Sequence, residues 1–143
     1  MGVMRDASRA LRLPRGSWRT LGRAMVELAL ARIRLGADHS GHFREARATR
    51  RSPSSALTND QALLVDQVAF AIPRVAHRMP WRADCLVQAL AGERWLRRRG
   101  VSAHIVIGVH QTGPAPLDAH AWLKAGDRIV TGGDVSTFIP LAD

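Results

Sequence analysis

The sequence predicts an α+β fold, in which three helices come first and an antiparallel sheet follows. Apolar residues recur at helical spacing up to residue 99, and from residue 101 the spacing changes to the alternation of a strand. A hairpin pattern then closes the chain. Helices followed by strands, rather than alternating with them, indicate an α+β arrangement. The length of 143 residues fits one domain with a modest core.

Composition is that of an ordinary globular protein, since 46% of the residues are hydrophobic and 23% are charged. The single cysteine cannot form an internal disulfide and fits a reducing compartment, so we predict a cytoplasmic protein. No apolar run approaches the length that spans a bilayer. The apolar stretch at residues 24–31 is short and contains Glu27, so we expect no signal peptide.

The positive charge is concentrated in the N-terminal third. Of the net charge of +9, residues 1–51 carry 12 arginines against 4 acidic residues, and the rest of the chain is nearly balanced. An arginine-rich segment can contact nucleic acid, an anionic membrane or an acidic protein surface. A solvated helix face is the structural alternative.

The first predicted helix covers residues 18–35, where apolar residues recur between arginines. Pro14 separates it from a short basic leader, and residues 36–56 mix glycine, serine and charge as linkers do. We therefore divide the chain into a basic helical segment with its linker, residues 1–56, and a domain over residues 57–143. The apolar positions of the first helix are Trp18, Leu21, Met25, Leu28 and Ala29.

Two further helices are predicted before the sheet. Residues 58–79 begin with Thr58 or Asn59 as the N-cap, and Pro73 predicts a kink or a break. The next helix begins after Asp84, a good capping residue, so Cys85 falls in its first turn. Their apolar sets are Leu63, Leu64, Val68, Phe70, Ala71 and Val75, then Leu86, Val87, Leu90, Ala91 and Trp95; Pro80 ends the former and Gly100 the latter.

The sheet is predicted from residue 101 onwards. Residues 101–110 are rich in valine and isoleucine and alternate partly, as a strand does. After a proline-containing loop, a hairpin is expected whose first arm ends near Lys124. We place its turn at residues 125–127 and its second arm at residues 128–131.

The lone Cys85 is either an inert core residue or a catalytic nucleophile. The thiolate is the nucleophilic form, and a helix N-terminus favours negative charge through its unpaired N–H groups. Free cysteines that only fill the core are nevertheless common. If Cys85 is catalytic, its own backbone N–H is a natural oxyanion donor, and Gln88, one turn further on, is a weaker second candidate.

A nucleophilic cysteine needs a general base, and the sequence offers six histidines. His120 is the best candidate, because the middle of a predicted strand would hold its ring on a rigid, partly dry surface. A purely structural strand histidine is the alternative. The others are His39 and His42 in the predicted linker, His77 near a helix end and facing water, and His104 and His110 on or beside the first strand.

Three aspartates compete for the role of orienting the imidazole. Position 120 of the predicted hairpin faces roughly position 132, which brings Asp134 close to His120. Asp127 lies at the turn tip, about 20 Å from His120 at the usual rise of a strand. Asp118 lies two residues from His120 on the same strand face, so a contact between the two side chains is possible but has little room. We choose Asp134, keep Asp127 as the second candidate, and expect the two glycines before Asp134 to let the carboxylate swing inward.

A cysteine at a helix start, a strand, AHAW on the next strand and an acid after the hairpin together resemble the transglutaminase-like cysteine protease superfamily. More narrowly, PWRADCLVQALAGERWLRRRG, VSAHIVIGV and AHAWLKAGDRIVTGGDVSTFIPLA are similar to leader peptidases of lasso-peptide biosynthesis. The resemblance covers about residues 60–143. It rests on CLVQAL, RRRGV, IGV and AHAW in this order and spacing.

The resemblance implies a papain- or transglutaminase-like core, with the catalytic cysteine at a helix N-terminus packed on an antiparallel sheet. It implies that Cys85 is the nucleophile, His120 the base and then the acid, and Asp134 the orienting carboxylate. The substrate would be a lasso precursor peptide, cut at the junction of leader and core without cofactor or metal. The freed core would pass to an ATP-dependent macrolactam cyclase.

The resemblance also implies protein partners. This family captures the leader with a small winged-helix domain, either fused or separate, and residues 1–56 are too short for that domain and its connection. We therefore expect a separate leader-recognition protein. The basic N-terminal third could dock that protein, the cyclase or a membrane surface, and the sequence does not choose among them.

Two other functions fit parts of the sequence. A transglutaminase-like acyltransferase would use the same residues and pass the thioester to an amine instead of water. A non-enzymatic basic adaptor or nucleic-acid-binding module is disfavoured, because the charge is confined to the N-terminal third and no helix-turn-helix pattern is present. We expect no nucleic-acid partner. One cysteine with scattered histidines also lacks the ligand spacing of a metal site.

Overall fold

Three helices precede a four-stranded antiparallel sheet in the part of the chain that the structure describes, which confirms the predicted α+β class. The computed structural model describes residues 15–37, 56–81, 83–110 and 118–141. The helices are α1 (Arg15–Ala37), α2 (Asn59–Ala76) and α3 (Cys85–Arg98). The strands are β1 (His104–His110), β2 (Asp118–Ala125), β3 (Arg128–Thr131) and β4 (Ile139–Pro140).

Helix α1 packs one face against α2 and α3 and exposes the other. The predicted helix is confirmed, but its predicted apolar row is partly wrong, because Trp18 and Met25 lie on the exposed face. The predicted leader and most of the predicted linker, with His39 and His42, lie outside the described residues. The buried face carries Ala24, Leu28, Ala31 and Leu35, and the exposed face carries Trp18, Met25, Val26 and Ile33.

Helix α2 begins at a capping box. The Thr58 hydroxyl accepts a hydrogen bond from the Gln61 backbone N–H, and the Gln61 side chain accepts one from the Thr58 N–H. The helix continues through Pro73 to Ala76 without the break that proline predicts. Proline has no N–H, so the Ala69 carbonyl loses its helical hydrogen-bond donor there while the helix runs on to Ala76. Leu63, predicted to be in the apolar set, is exposed.

Helix α3 has the predicted cap at each end. The Asp84 carboxylate accepts a hydrogen bond from the Val87 N–H, and Cys85 is the first helical residue. At the other end Gly100 adopts a φ of +74°, and the Val101 N–H donates to the Leu96 carbonyl. This is a Schellman motif, which reverses the chain direction and leads it into β1.

The strand order is β3-β2-β1-β4, and every pairing is antiparallel. Gly126, with a φ of +57°, and Asp127 form the β2–β3 turn, which confirms the predicted hairpin. Its register shifts between Leu123 and Lys124, which leaves Val130 as an extra residue on β3. His120 lies opposite Gly108 on β1.

Strand β4 was not predicted. It contains only two residues, Ile139 and Pro140, and pairs with Val109 and Gly108 on β1. Its position brings the segment after β3 back across the sheet, so that Phe138 reaches the ring of His120. Within the described ranges, no helix has the length and apolarity required to cross a bilayer.

Candidate active site

A cleft opens between α2, the start of α3 and the end of β3. Its volume is about 580 Å³. Cys85 and His120 both line it, so the residues predicted to be nucleophile and base face one cavity. Helix α2 contributes Ala69 and Pro73, and His77 caps its C-terminus. Helix α3 contributes Gln88, and the opposite wall consists of residues 129–133.

Cys85 enters the cleft from the N-terminus of α3. Its thiol is free and its side chain is partly exposed. The N–H groups of a first helical turn lack intrahelical partners and favour negative charge beside them, which suits a thiolate and an oxyanion. The Gln88 side chain donates to the Ala83 carbonyl at 2.9 Å and so braces the segment that leads into the helix.

His120 projects from β2, and three neighbours hold its ring. Its Nε2 lies 2.7 Å from the Gly132 carbonyl oxygen. The Phe138 ring packs at a centroid distance of 4.9 Å, and the Trp122 ring stacks at 6.2 Å. One hydrogen bond and two ring contacts restrict the imidazole in the way that a general base requires.

The Asp134 carboxylate is hydrogen-bonded within its own turn. Its Oδ1 accepts a hydrogen bond from the Ser136 backbone N–H at 3.0 Å. Hydrogen bonds from the backbone and the side chain of Ser136 hold the pKa of Asp134 below its ordinary value. The side chain is exposed, and Asp134 is not among the lining residues of the cleft. The polar contact that reaches His120 from this segment is the Gly132 carbonyl.

The other two candidate acids lie at the two ends of strand β2. Asp127 is in the turn that follows the strand, and Asp118 is its first residue, opposite His110. Both side chains are exposed. Neither aspartate is among the lining residues of the cleft.

One wall of the cleft is a row along α2 that the sequence interpretation did not use. Ala69, Pro73 and His77 are spaced by four residues and therefore lie on one helix face. His77 is exposed, as expected, yet it also lines the cavity. The four-residue spacing is visible in the sequence, but nothing in the sequence says that this face lies opposite β3.

Thr131 is a second lining residue that sequence reasoning missed. Its side chain is 2% exposed, and its Oγ1 has no hydrogen-bond partner among the described residues. A buried hydroxyl without a partner is uncommon and costs stability.

No group of three histidine, cysteine, aspartate or glutamate side chains in the described segments is arranged to hold a metal ion.

A family comparison decides the classification of this arrangement. The model of the transglutaminase-like superfamily matches residues 27–143. The chain belongs to the transglutaminase-like superfamily. The matched range includes α2, α3, the whole sheet and the cleft between them, and it begins inside α1. Membership in the superfamily confirms the predicted family and agrees with the α+β core.

A curated relative narrows the comparison within the superfamily. The chain is 32% identical over 56 residues to the microcin J25-processing protein McjB of Escherichia coli. The aligned part is 39% of this chain and 26% of that protein, so the match spans about a quarter of the relative's length. No solved structure matches the chain.

Proposed function

We propose that this protein is a cysteine peptidase that removes the leader from a ribosomally synthesised lasso precursor peptide. The observation that carries the proposal is the shared cleft, which both Cys85 and His120 line. Two comparisons support the same activity. The chain belongs to the transglutaminase-like superfamily, and part of it is similar to a microcin J25-processing protein.

In the proposed reaction His120 takes the thiol proton of Cys85, and the thiolate attacks the carbonyl at the junction of leader and core. His120 then gives that proton to the departing amine of the core, which leaves the leader as a thioester on Cys85. Water, losing a proton to His120, hydrolyses the thioester and restores the free thiol. The turn that carries Asp134 orients the imidazole.

The proposed partners follow from this reaction. They are the precursor peptide, a separate winged-helix leader-recognition protein and an ATP-dependent cyclase that receives the freed core amine. The proposed setting is cytoplasmic, and no nucleic acid takes part. The 12 arginines within residues 1–51 give this part of the sequence a positive charge that suits docking, for which the recognition protein, the cyclase and a membrane surface are all candidates.

The decisive experiment incubates the purified protein with a lasso precursor and its recognition protein and follows the masses of the products. We expect two fragments, leader and core. Cys85→Ala and His120→Ala should each abolish the cleavage while the far-UV circular dichroism stays unchanged. Asp127→Asn, in the exposed turn, is the matched control and should cleave like the unaltered protein. Cleavage by Cys85→Ala would refute the assignment of the nucleophile.

Acyl transfer is a second candidate because the superfamily assignment fits it equally well. A transferase would form the same thioester and pass it to an amine, so the leader would appear as a conjugate rather than as a free acid. The same mass measurement distinguishes the two outcomes. A salt-sensitive affinity for DNA that survives Cys85→Ala would instead favour a basic adaptor.

A further inference from the structure

The hydrogen bond between His120 and Gly132 fixes which ring nitrogen carries the proton. The carbonyl oxygen of Gly132 only accepts, so the imidazole donates from Nε2 across the 2.7 Å contact. A neutral imidazole has one donor and one acceptor nitrogen. Nδ1 is therefore the acceptor, and it is the nitrogen left to take a proton.

The Gly132 carbonyl reaches the ring because the residue that carries it is glycine. Gly132 has a φ of +111°, a conformation that other residues rarely adopt. A Cβ atom there would lie 2.4 Å from the Trp122 Cβ and 3.4 Å from the His120 Nε2. A side chain at this position is therefore excluded by Trp122, and glycine lets the backbone turn its carbonyl toward the imidazole.

Asp134 stabilises the turn that carries Gly132, residues 132–138, from outside the cleft. Its carboxylate accepts from the Ser136 N–H, and the Phe138 N–H donates to the Val135 carbonyl at 3.0 Å. The segment stabilised in this way, residues 132–138, carries Gly132 at one end and Phe138 at the other. Both ends contact His120.

We propose that the Gly132 carbonyl is the acceptor that orients His120, and that Asp134 is a positioning residue that acts by holding the 132–138 turn. The inference rests on the proposed function only for the catalytic role of His120. A neutral carbonyl selects the ring tautomer as a carboxylate would, but it does not bring a full negative charge to the imidazolium.

Nitrogen-15 NMR of histidine-labelled protein tests the tautomer directly, without any activity. We use Cys85→Ala at about pH 8, above the ordinary pKa of histidine, and assign the resonance by its loss in Cys85→Ala/His120→Gln. We expect the Nε2–H form, and we expect it to persist when Asp134→Asn is added. An Nδ1–H form, or a change of tautomer on that substitution, overturns the proposal.

Leader release by Asp134 variants gives a second readout. Asp134→Asn keeps an oxygen that can accept from the Ser136 N–H, so we expect its rate to stay within about threefold of the unaltered protein, with the same pH profile. Asp134→Ala removes that acceptor and should lower the rate about tenfold or more. A carboxylate bonded to the imidazole would instead make Asp134→Asn slower by about 10⁴-fold, as in serine protease triads, and that result overturns the proposal. If the unaltered protein releases no leader, the proposed function fails, and the NMR result still decides this inference.

Discussion

At the scale of single residues, the structure requires glycine at positions 132 and 133 for two different reasons. Both have positive φ angles, +111° and +68°. A Cβ atom on Gly132 would collide with Trp122, whereas one on Gly133 would meet open space. A side chain at Gly133 therefore costs backbone strain alone, and one at Gly132 adds a steric clash beside the proposed base.

Alanine substitutions at the two glycines should differ accordingly. Gly133→Ala should lower the free energy of unfolding by about 1 kcal/mol, the ordinary cost of a left-handed conformation. Gly132→Ala should lower it by roughly 3 kcal/mol or more, because strain and overpacking combine, and it should abolish leader release. Urea unfolding followed by circular dichroism measures both. Equal losses at the two positions would contradict the role assigned to Gly132.

At the scale of elements, an ion pair joins α1 to α3, the helix that carries the proposed nucleophile. The Glu27 side chain is fully buried, and its Oε2 lies 3.0 Å from Arg94 Nε. Neither atom has a hydrogen-bond partner among the described residues, so the contact acts mainly through charge. Arg23, one turn before Glu27, reaches its other oxygen at 2.7 Å and is 42% exposed.

Removing the buried carboxylate should therefore destabilise the helix packing. Glu27→Gln leaves the Arg94 guanidinium, which is 16% exposed, without its counter-charge, and should cost roughly 3 kcal/mol. Arg23→Gln is the matched control and should cost less than about 1 kcal/mol, because that charge is partly solvated. Chemical denaturation measures both. A double-mutant cycle tests the coupling between Glu27 and Arg94. If the double variant Glu27→Leu/Arg94→Leu costs as much as Glu27→Leu and Arg94→Leu added together, the pair has no coupling and does not stabilise the helix packing.

The elements that could be predicted are those with local signals. Asp84 and Gly100 bound α3 through capping chemistry that involves only neighbouring residues, and the turn at Gly126 is equally local. The end of α2 could be bracketed only between Pro73, a predicted kink or break, and Pro80, and the structure ends the helix at Ala76. Strand β4 is too short for any alternation and exists only because β1 has a free edge beside it.

At the scale of the whole molecule, α1 belongs to the same hydrophobic core as α2 and α3. Its Ala24, Leu28 and Ala31 are buried, and Glu27 pairs with Arg94. The division of the chain at residue 56 follows composition and stays a prediction. Because α1 packs on both α2 and α3, a fragment that begins after residue 56 would expose apolar surface on those two helices.

The fragment of residues 57–143 should consequently fail to fold alone. The fragment loses the apolar contacts of α1, and Arg94 loses its buried partner Glu27. A domain with one small core has a low free energy of unfolding, so these losses are enough to unfold it. We expect no cooperative thermal transition in the fragment and a clear one in the full chain, measured by calorimetry. A cooperative transition in the fragment would show that residues 57–143 are an independent domain.

The candidate site could be predicted from the sequence only as far as residue type and order allow. Cys85 at a helix start and His120 within a strand follow from local patterns, and both line the cleft. The contact from Gly132 does not follow, because a backbone carbonyl is present at every residue and its direction depends on the turn. His77 and Thr131 enter the cleft only once α2 lies against β3.

The stacking of Trp122 on His120 also gives the protein its own optical signal. The sequence has four tryptophans and no tyrosine, so indole dominates its emission. Trp122 is 3% exposed, and its ring lies at 26° to the imidazole plane. A change in the position of the imidazole therefore alters the surroundings of this indole, and it can be followed by fluorescence without attaching a dye.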